Sequence, residues 1–271
     1  MINIVCALHC EAKPIIDEFK LSLVSDSVFP IFENGAKNQK VSLVVSGLGR
    51  VSTAAAMAYL FAKNKEQKNV AWVNYGIAGH KNAELGSWIN VNKITESSSG
   101  TNWYPSRFPK FDCLSSALIT VDEPVSKYDS LALYDMEASA FMSLALKFSS
   151  VELIQVIKIV SDNEEHHLEK IDKQYVQNLL KDNMSPLIEL IGILQDKHAE
   201  HERIYGDTEV FKSCLDKWHF TQYQKKELER LIQRWNVLCE TQDENLLKEC
   251  KDAKQVISVL KHYLDNVTVV F

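Results

Sequence analysis

The sequence predicts an α/β domain whose sheet is covered on both faces, followed by an all-helical C-terminal extension. Three observations lead there. Continuous apolar runs of strand length alternate with longer helical patterns along the first part of the chain, and strands without polar alternation belong to sheets buried on both faces. Gly35, Gly47, Gly49, Gly76, Gly79, Gly86 and Gly100 crowd the first half, and the last proline is Pro186. From Ala199 onward there is one glycine (Gly206), no proline, and an excess of Lys, Glu and Gln. The expected division is therefore 1–198 for the α/β domain and 199–271 for the helical extension, which suits a chain of 271 residues.

The elements follow in order. Ile2–Leu8 is a buried strand, and Glu11–Phe19 a helix in which Pro14 is compatible only with the first turn. Val41–Ser46 is a second buried strand; it meets Gly47-Leu48-Gly49 and then the small-residue helix Val51–Ala62. Val70–Tyr75 is a third strand, ended by Gly76-Ile77-Ala78-Gly79. Trp88–Ile94, Ala117–Val121 and Leu153–Val160 read as further strands, with a helix at Met136–Phe148. Ile171–Gln195 reads as a long helix, bent before Pro186. In the extension, Thr221-x-x-Gln224 has the form of a capping box. It precedes Leu228, Leu231, Ile232, Trp235 and Leu238 at helical spacing, and Asp252–Leu264 repeats the pattern through Val256, Val259, Leu260 and Tyr263. Two amphipathic helices cannot bury both apolar faces alone, so they are expected to dock on the main domain, another subunit or another protein.

Composition removes several classes of function. The 36 acidic residues against 30 basic give a net charge of −6, which argues against a nucleic-acid or anionic-membrane partner. No apolar run approaches the roughly 18–20 residues that span a bilayer. Met1-Ile2-Asn3-Ile4-Val5-Cys6 reads as a first strand and not as a signal peptide, so a cytoplasmic location is expected. The six cysteines, none in a Cys-x-x-Cys pair, read as reduced packing thiols. His198-x-x-His201 and His166-His167 read as surface residues without a third ligand, so no metal is expected. Gly47-x-Gly49 is half of a dinucleotide fingerprint with Ser52 at the third glycine position. It reads equally as a tight turn or as a ligand-contacting one. There is neither a P-loop nor a Gly-x-Ser-x-Gly elbow.

Three acids stand apart. Glu11 opens a helix just after the first strand, Glu137 opens one within Asp135-Met136-Glu137-Ala138, and Asp162 follows an apolar strand in Val160-Ser161-Asp162-Asn163. A single such acid is usually a helix cap. Three at strand-to-helix junctions point to an active site, because ligands of α/β sheets bind at the carboxyl ends of strands.

These residues fall in five short blocks, in order, that resemble the nucleoside phosphorylase/nucleosidase superfamily, most closely methylthioadenosine/S-adenosylhomocysteine nucleosidase. The blocks are Ala7-Leu8-His9-Cys10-Glu11, Ser46-Gly47-Leu48-Gly49-Arg50-Val51, Asn74-Tyr75-Gly76-Ile77-Ala78-Gly79, Asp135-Met136-Glu137-Ala138-Ser139-Ala140, and Val160-Ser161-Asp162. The resemblance spans about residues 1–197 and implies a three-layer phosphorylase/hydrolase-like fold with a mixed central sheet. It implies hydrolysis of the N-glycosidic bond of a purine nucleoside without a cofactor, and a homodimer. Glu11 aligns with the carboxylate that activates water, and Asp162 with the acid that protonates purine N7. Glu137 aligns with the residue that binds the ribose hydroxyls, Met136 with the one beneath the sugar, and Val125 with a backbone contact to the base. Leu8, Leu48, Gly76 and Ser161, in the same blocks, join the substrate-binding set.

Elementary chemistry agrees with these roles. Cleavage builds positive charge on the sugar and negative charge on the departing base. Asp162 must deliver a proton while Glu11 accepts one, and each acid–base role is typically worth about 10²–10⁴-fold in rate. Phosphate as nucleophile would need cations. Phosphorylases of the superfamily carry Arg and Ser/Thr in the third block, where this chain has Asn74 and Ile77. Arg50 keeps phosphorolysis as an alternative, and a non-catalytic nucleoside-binding or interaction module is a second. Ile77, His80, Lys158 and Pro124 depart from the family pattern, and the Ala117–Met136 connection is short, so the base pocket is expected to differ.

Overall fold

The computed structural model describes residues 1–24, 28–34, 40–64, 69–107, 113–125, 127–166, 172–206, 209–239 and 244–267. Gly35, His167 and Ile171, named above, lie outside them. The chain divides into two compact units, Met1–His198 and Ala199–Phe271.

The first unit is built on one mixed sheet. Its strands are β1 (Ile2–Cys6), β2 (Ser22–Leu23), β3 (Ile31–Glu33), β4 (Val41–Val45), β5 (Ala71–His80), β6 (Trp88–Glu96), β7 (Asn102–Trp103), β8 (Leu114–Thr120), β9 (Leu133–Asp135) and β10 (Ile154–Asp162). Its helices are α1 (His9–Glu18), α2 (Arg50–Lys63), α3 (Ala138–Phe148), α4 (Lys173–Asp182) and α5 (Met184–Tyr205), the last running on into the second unit. β1 lies parallel between β4 and β5. β5 continues parallel to β10 and, at Gly79 and His80, antiparallel to β9. β10 pairs with β6, β6 with β8 and β8 with β9, so five strands close a ring through β5.

Side-chain alternation explains the three layers. Ile2, Ile4, Leu43, Val73, Tyr75, Ile157 and Ile159 point to one face, where Ile15 of α1, Val176 and Leu180 of α4, and Leu187 and Leu190 of α5 cover them. Val5, Val44, Trp72, Val156 and Val160 point to the other, packed against Met57 and Leu60 of α2 and Phe141 and Met142 of α3. None of these side chains is more than marginally accessible. The mutually parallel strands β1, β4, β5 and β10 deliver their carboxyl ends to one edge.

Several sequence expectations change. The third strand does not stop at Gly76: β5 runs through both glycines to His80. Pro14 lies inside α1, past its first turn. Asp162 belongs to β10 and sits at an irregularity of register after Val160. The long helix is broken between α4 and α5, at Asn183, three residues before Pro186.

The second unit contains α6 (Glu209–Lys217), α7 (Gln222–Leu238) and α8 (Ala253–Asp265). The capping box forms: Thr221 Oγ1 accepts Gln224 N–H, and the Gln224 amide oxygen accepts Thr221 N–H. The two amphipathic helices are not alone. Val210 and Cys214 of α6, with Phe220 and Leu247, join Leu228, Leu231, Trp235, Val256 and Leu260 in a core of the unit's own. His201, expected at the surface, is buried and packs against Tyr205, ring centroids 4.5 Å apart.

Candidate active site

The carboxyl ends of the parallel strands surround a cavity of about 310 Å³, within the size range of small-molecule sites. Glu11, Asp162, Glu137, Met136, Val125, Leu48, Leu8 and Ser161 all line it. Gly76 does not. It lies behind Glu11, where a Cβ would come within 2.6 Å of Glu11 Oε1. The absence of a side chain there leaves room for the carboxylate.

Glu11 is the third residue of α1, and its carboxylate folds back on the helix start. Oε2 accepts Leu8 N–H at 2.8 Å, the side-chain half of a capping box. Oε1 accepts Ile77 N–H of β5 at 3.0 Å. The acid therefore caps a helix and also faces the cavity. Burial raises its pKa, partly offset by the Ile77 N–H and the Lys158 ammonium. A raised pKa makes a carboxylate a better proton acceptor.

Glu137 is the residue immediately before α3. Its Oε1 accepts Gly49 N–H at 2.7 Å. Gly47 and Gly49 both have positive φ, 82° and 88°, a conformation that favours glycine. The Gly47-Leu48-Gly49 turn thus holds an acid that lines the cavity, and Leu48 lines it too. Burial first, then the charge of Asp135, push Glu137 up to about 7, against the pull of Lys158.

Lys158 of β10 forms a buried ion pair with Asp135 Oδ2 at 2.9 Å. Burial draws the ammonium down, but Asp135, Glu137 and Glu11 outweigh it and hold its pKa above the ordinary value. Asp135 also accepts Thr120 Oγ1–H at 2.8 Å and Ala138 N–H at 2.9 Å. One cation therefore serves three buried carboxylates, a role the sequence did not disclose beyond the position of Lys158.

Asp162 closes the other end. Ser161 Oγ donates to its Oδ1 at 2.5 Å, and the phenol of Tyr128 donates to Oδ2. Tyr128 and Tyr134, whose rings pack 5.2 Å apart, line the cavity with Pro124 and Val125. Sequence reasoning missed Tyr128: it sits in a loop 34 residues before Asp162, with no pattern to mark it. Asp172, Lys173 and Val176, around the start of α4, complete the wall with Cys10 and Ile77.

Arg50, the cation that kept phosphorolysis open, is bound by Glu96 and by Asp122. It is not among the residues lining the cavity. Among the described residues, no group of His, Cys, Asp and Glu has the form of a metal site, and no helix is long and apolar enough to cross a membrane.

The fold is similar to that of several solved nucleosidases. The chain superposes on the apo 5′-methylthioadenosine nucleosidase of Arabidopsis thaliana with a TM-score of 0.60 at 16% identity, over 71% of this chain and 95% of that one. For the Streptococcal (S. pneumoniae) 5′-methylthioadenosine/S-adenosylhomocysteine nucleosidase bound to a transition-state inhibitor the TM-score is 0.57 at 16% identity, over 70% and 97%. Futalosine hydrolase of Helicobacter pylori gives 0.59 at 13% identity, over 70% and 97%. No family model and no curated protein matches the chain.

Proposed function

We propose that the protein hydrolyses the N-glycosidic bond of a purine nucleoside and releases the free base. The observation that carries this reading is the convergence of Glu11, Glu137 and Asp162 on one cavity at the carboxyl edge of the sheet. Glu11 orients water at C1′ and accepts its proton. Glu137 binds the ribose hydroxyls, with Met136 beneath the sugar. Asp162 gives its proton to N7, and the electrons of the C1′–N9 bond leave with the base. Each charge that develops is met by a group already in place.

Water is preferred to phosphate on electrostatic grounds. A dianion needs cationic partners. Arg50 is committed to two carboxylates, and the Glu11 side of the cavity presents Ile77. The relatives above, named for methylthioadenosine, S-adenosylhomocysteine and futalosine, give the panel: those three nucleosides with adenosine and inosine. Free base is followed by chromatography with and without phosphate. Release without phosphate supports the proposal; release only with phosphate replaces it by phosphorolysis. A homodimer is part of the proposal, and sedimentation at working concentration reads it.

A further inference from the structure

We propose that Tyr128 is a positioning residue for the leaving-group acid: its phenol, admitted by Gly79, fixes Asp162 and stabilises the carboxylate that remains when the proton has gone to the base. This deepens the nucleosidase reading and rests on it.

The geometry is specific. Tyr128 is 4% exposed, and its hydroxyl donates to Asp162 Oδ2 while Ser161 Oγ donates to Oδ1. Both oxygens of the acid are thus held by hydroxyls, and the carboxyl plane cannot turn. The approach is possible only because residue 79 is glycine. A Cβ there would collide with the phenol oxygen, stand 2.7 Å from Tyr128 Cζ and reach 2.8 Å from Asp162 Oδ2. Gly79 has no positive φ to explain it, so the close approach is its reason. Tyr134 braces the phenol ring from the side.

The consequence lies in the transition state. In the proposed step the O–H bond of the acid breaks, an N7–H bond forms, the C1′–N9 pair goes to the base, and a carboxylate remains at Asp162. The Tyr128 proton stays on its oxygen. Burial first, then the Asp162 carboxylate, raise the phenol above its ordinary range and keep it a donor. Hydrogen bonds strengthen when the acceptor becomes charged. The Tyr128 bond therefore favours the transition state over bound substrate, which changes kcat and not KM.

The test compares two leaving groups in wild type and Tyr128→Phe. With a purine nucleoside, kcat is expected to fall about 10–100-fold, the value of one hydrogen bond to a charged group, at unchanged KM. With p-nitrophenyl riboside, whose phenolate leaves without a proton, the variant is expected within about twofold of wild type. A merely structural role would lower both substrates alike, and that result overturns the proposal, as does an unchanged kcat on the nucleoside. Should Tyr128→Phe not fold, Tyr128→Met, which also removes the hydroxyl and brings nothing new against Asp162, carries the same comparison. Failure of the wild type to release base from either substrate would instead overturn the nucleosidase reading, and this role with it.

Discussion

Replacing Gly76 by alanine tests whether the place of Glu11 is what matters at the sugar end of the cavity. The new Cβ would stand 2.6 Å from Glu11 Oε1, 3.1 Å from Cδ and 3.4 Å from Oε2. The nearest oxygen is about 0.8 Å short of the 3.4 Å at which ordinary contact begins. The carboxylate cannot give way cheaply, because Leu8 N–H and Ile77 N–H hold it at 2.8 and 3.0 Å. A retreat of that size lengthens both bonds beyond useful range. Overpacking of this kind costs about 1–3 kcal/mol of stability. A catalytic group displaced by about 1 Å costs on the order of 100-fold in rate. The assay is kcat for base release, alongside urea unfolding. Gly192→Ala is the control: in α5 nothing lies within 4 Å of its Cβ, so it should gain about 0.5–1 kcal/mol and keep its activity. A Gly76→Ala protein with wild-type kcat and stability would refute the placement of Glu11.

Two further outcomes follow from the buried charges. Lys158→Met leaves Asp135, Glu137 and Glu11 without their shared cation, and should lower stability by about 3–5 kcal/mol in urea unfolding at neutral pH; a loss below about 1 kcal/mol would contradict the ion-pair geometry. Glu137→Gln reads the pKa near 7. A carboxyl raised in the folded state contributes stability that is full below its unfolded pKa and is lost as pH rises through the folded one. The wild type should therefore lose up to about 3 kcal/mol relative to Glu137→Gln between pH 4.5 and 8, and a difference constant with pH would contradict it.

The strands and the three acids were legible because they depend on local signals. Ile2–Cys6 and Ile154–Val160 are largely apolar, interrupted by Asn3 and by Gln155 and Lys158, while Glu11 and Glu137 follow strands and Asp162 ends one. What stayed hidden depends on contacts far apart in sequence. Gly76 and Gly79 looked like the end of a strand. They are glycines because Glu11, and Tyr128 with Asp162, press against β5 from outside. The short strand Leu133–Asp135 carries too few residues to show a period. Tyr128 reaches Asp162 only through the fold of an irregular loop. In the extension, α7 and α8 were visible by their spacing, but the contribution of Val210 and Cys214 to one core was not, because α6 is only nine residues long.

In the proposed reaction Asp162 protonates a departing purine without phosphate. The most direct measurement is release of free base by wild type and Asp162→Asn in phosphate-free buffer, with nucleoside binding followed by calorimetry on the same samples. Release by the wild type is expected, and binding within about threefold for the variant with turnover lowered by about 10²–10⁴-fold. Equal turnover by the two proteins, or tight binding by the wild type with no base released from any nucleoside of the panel, would contradict it.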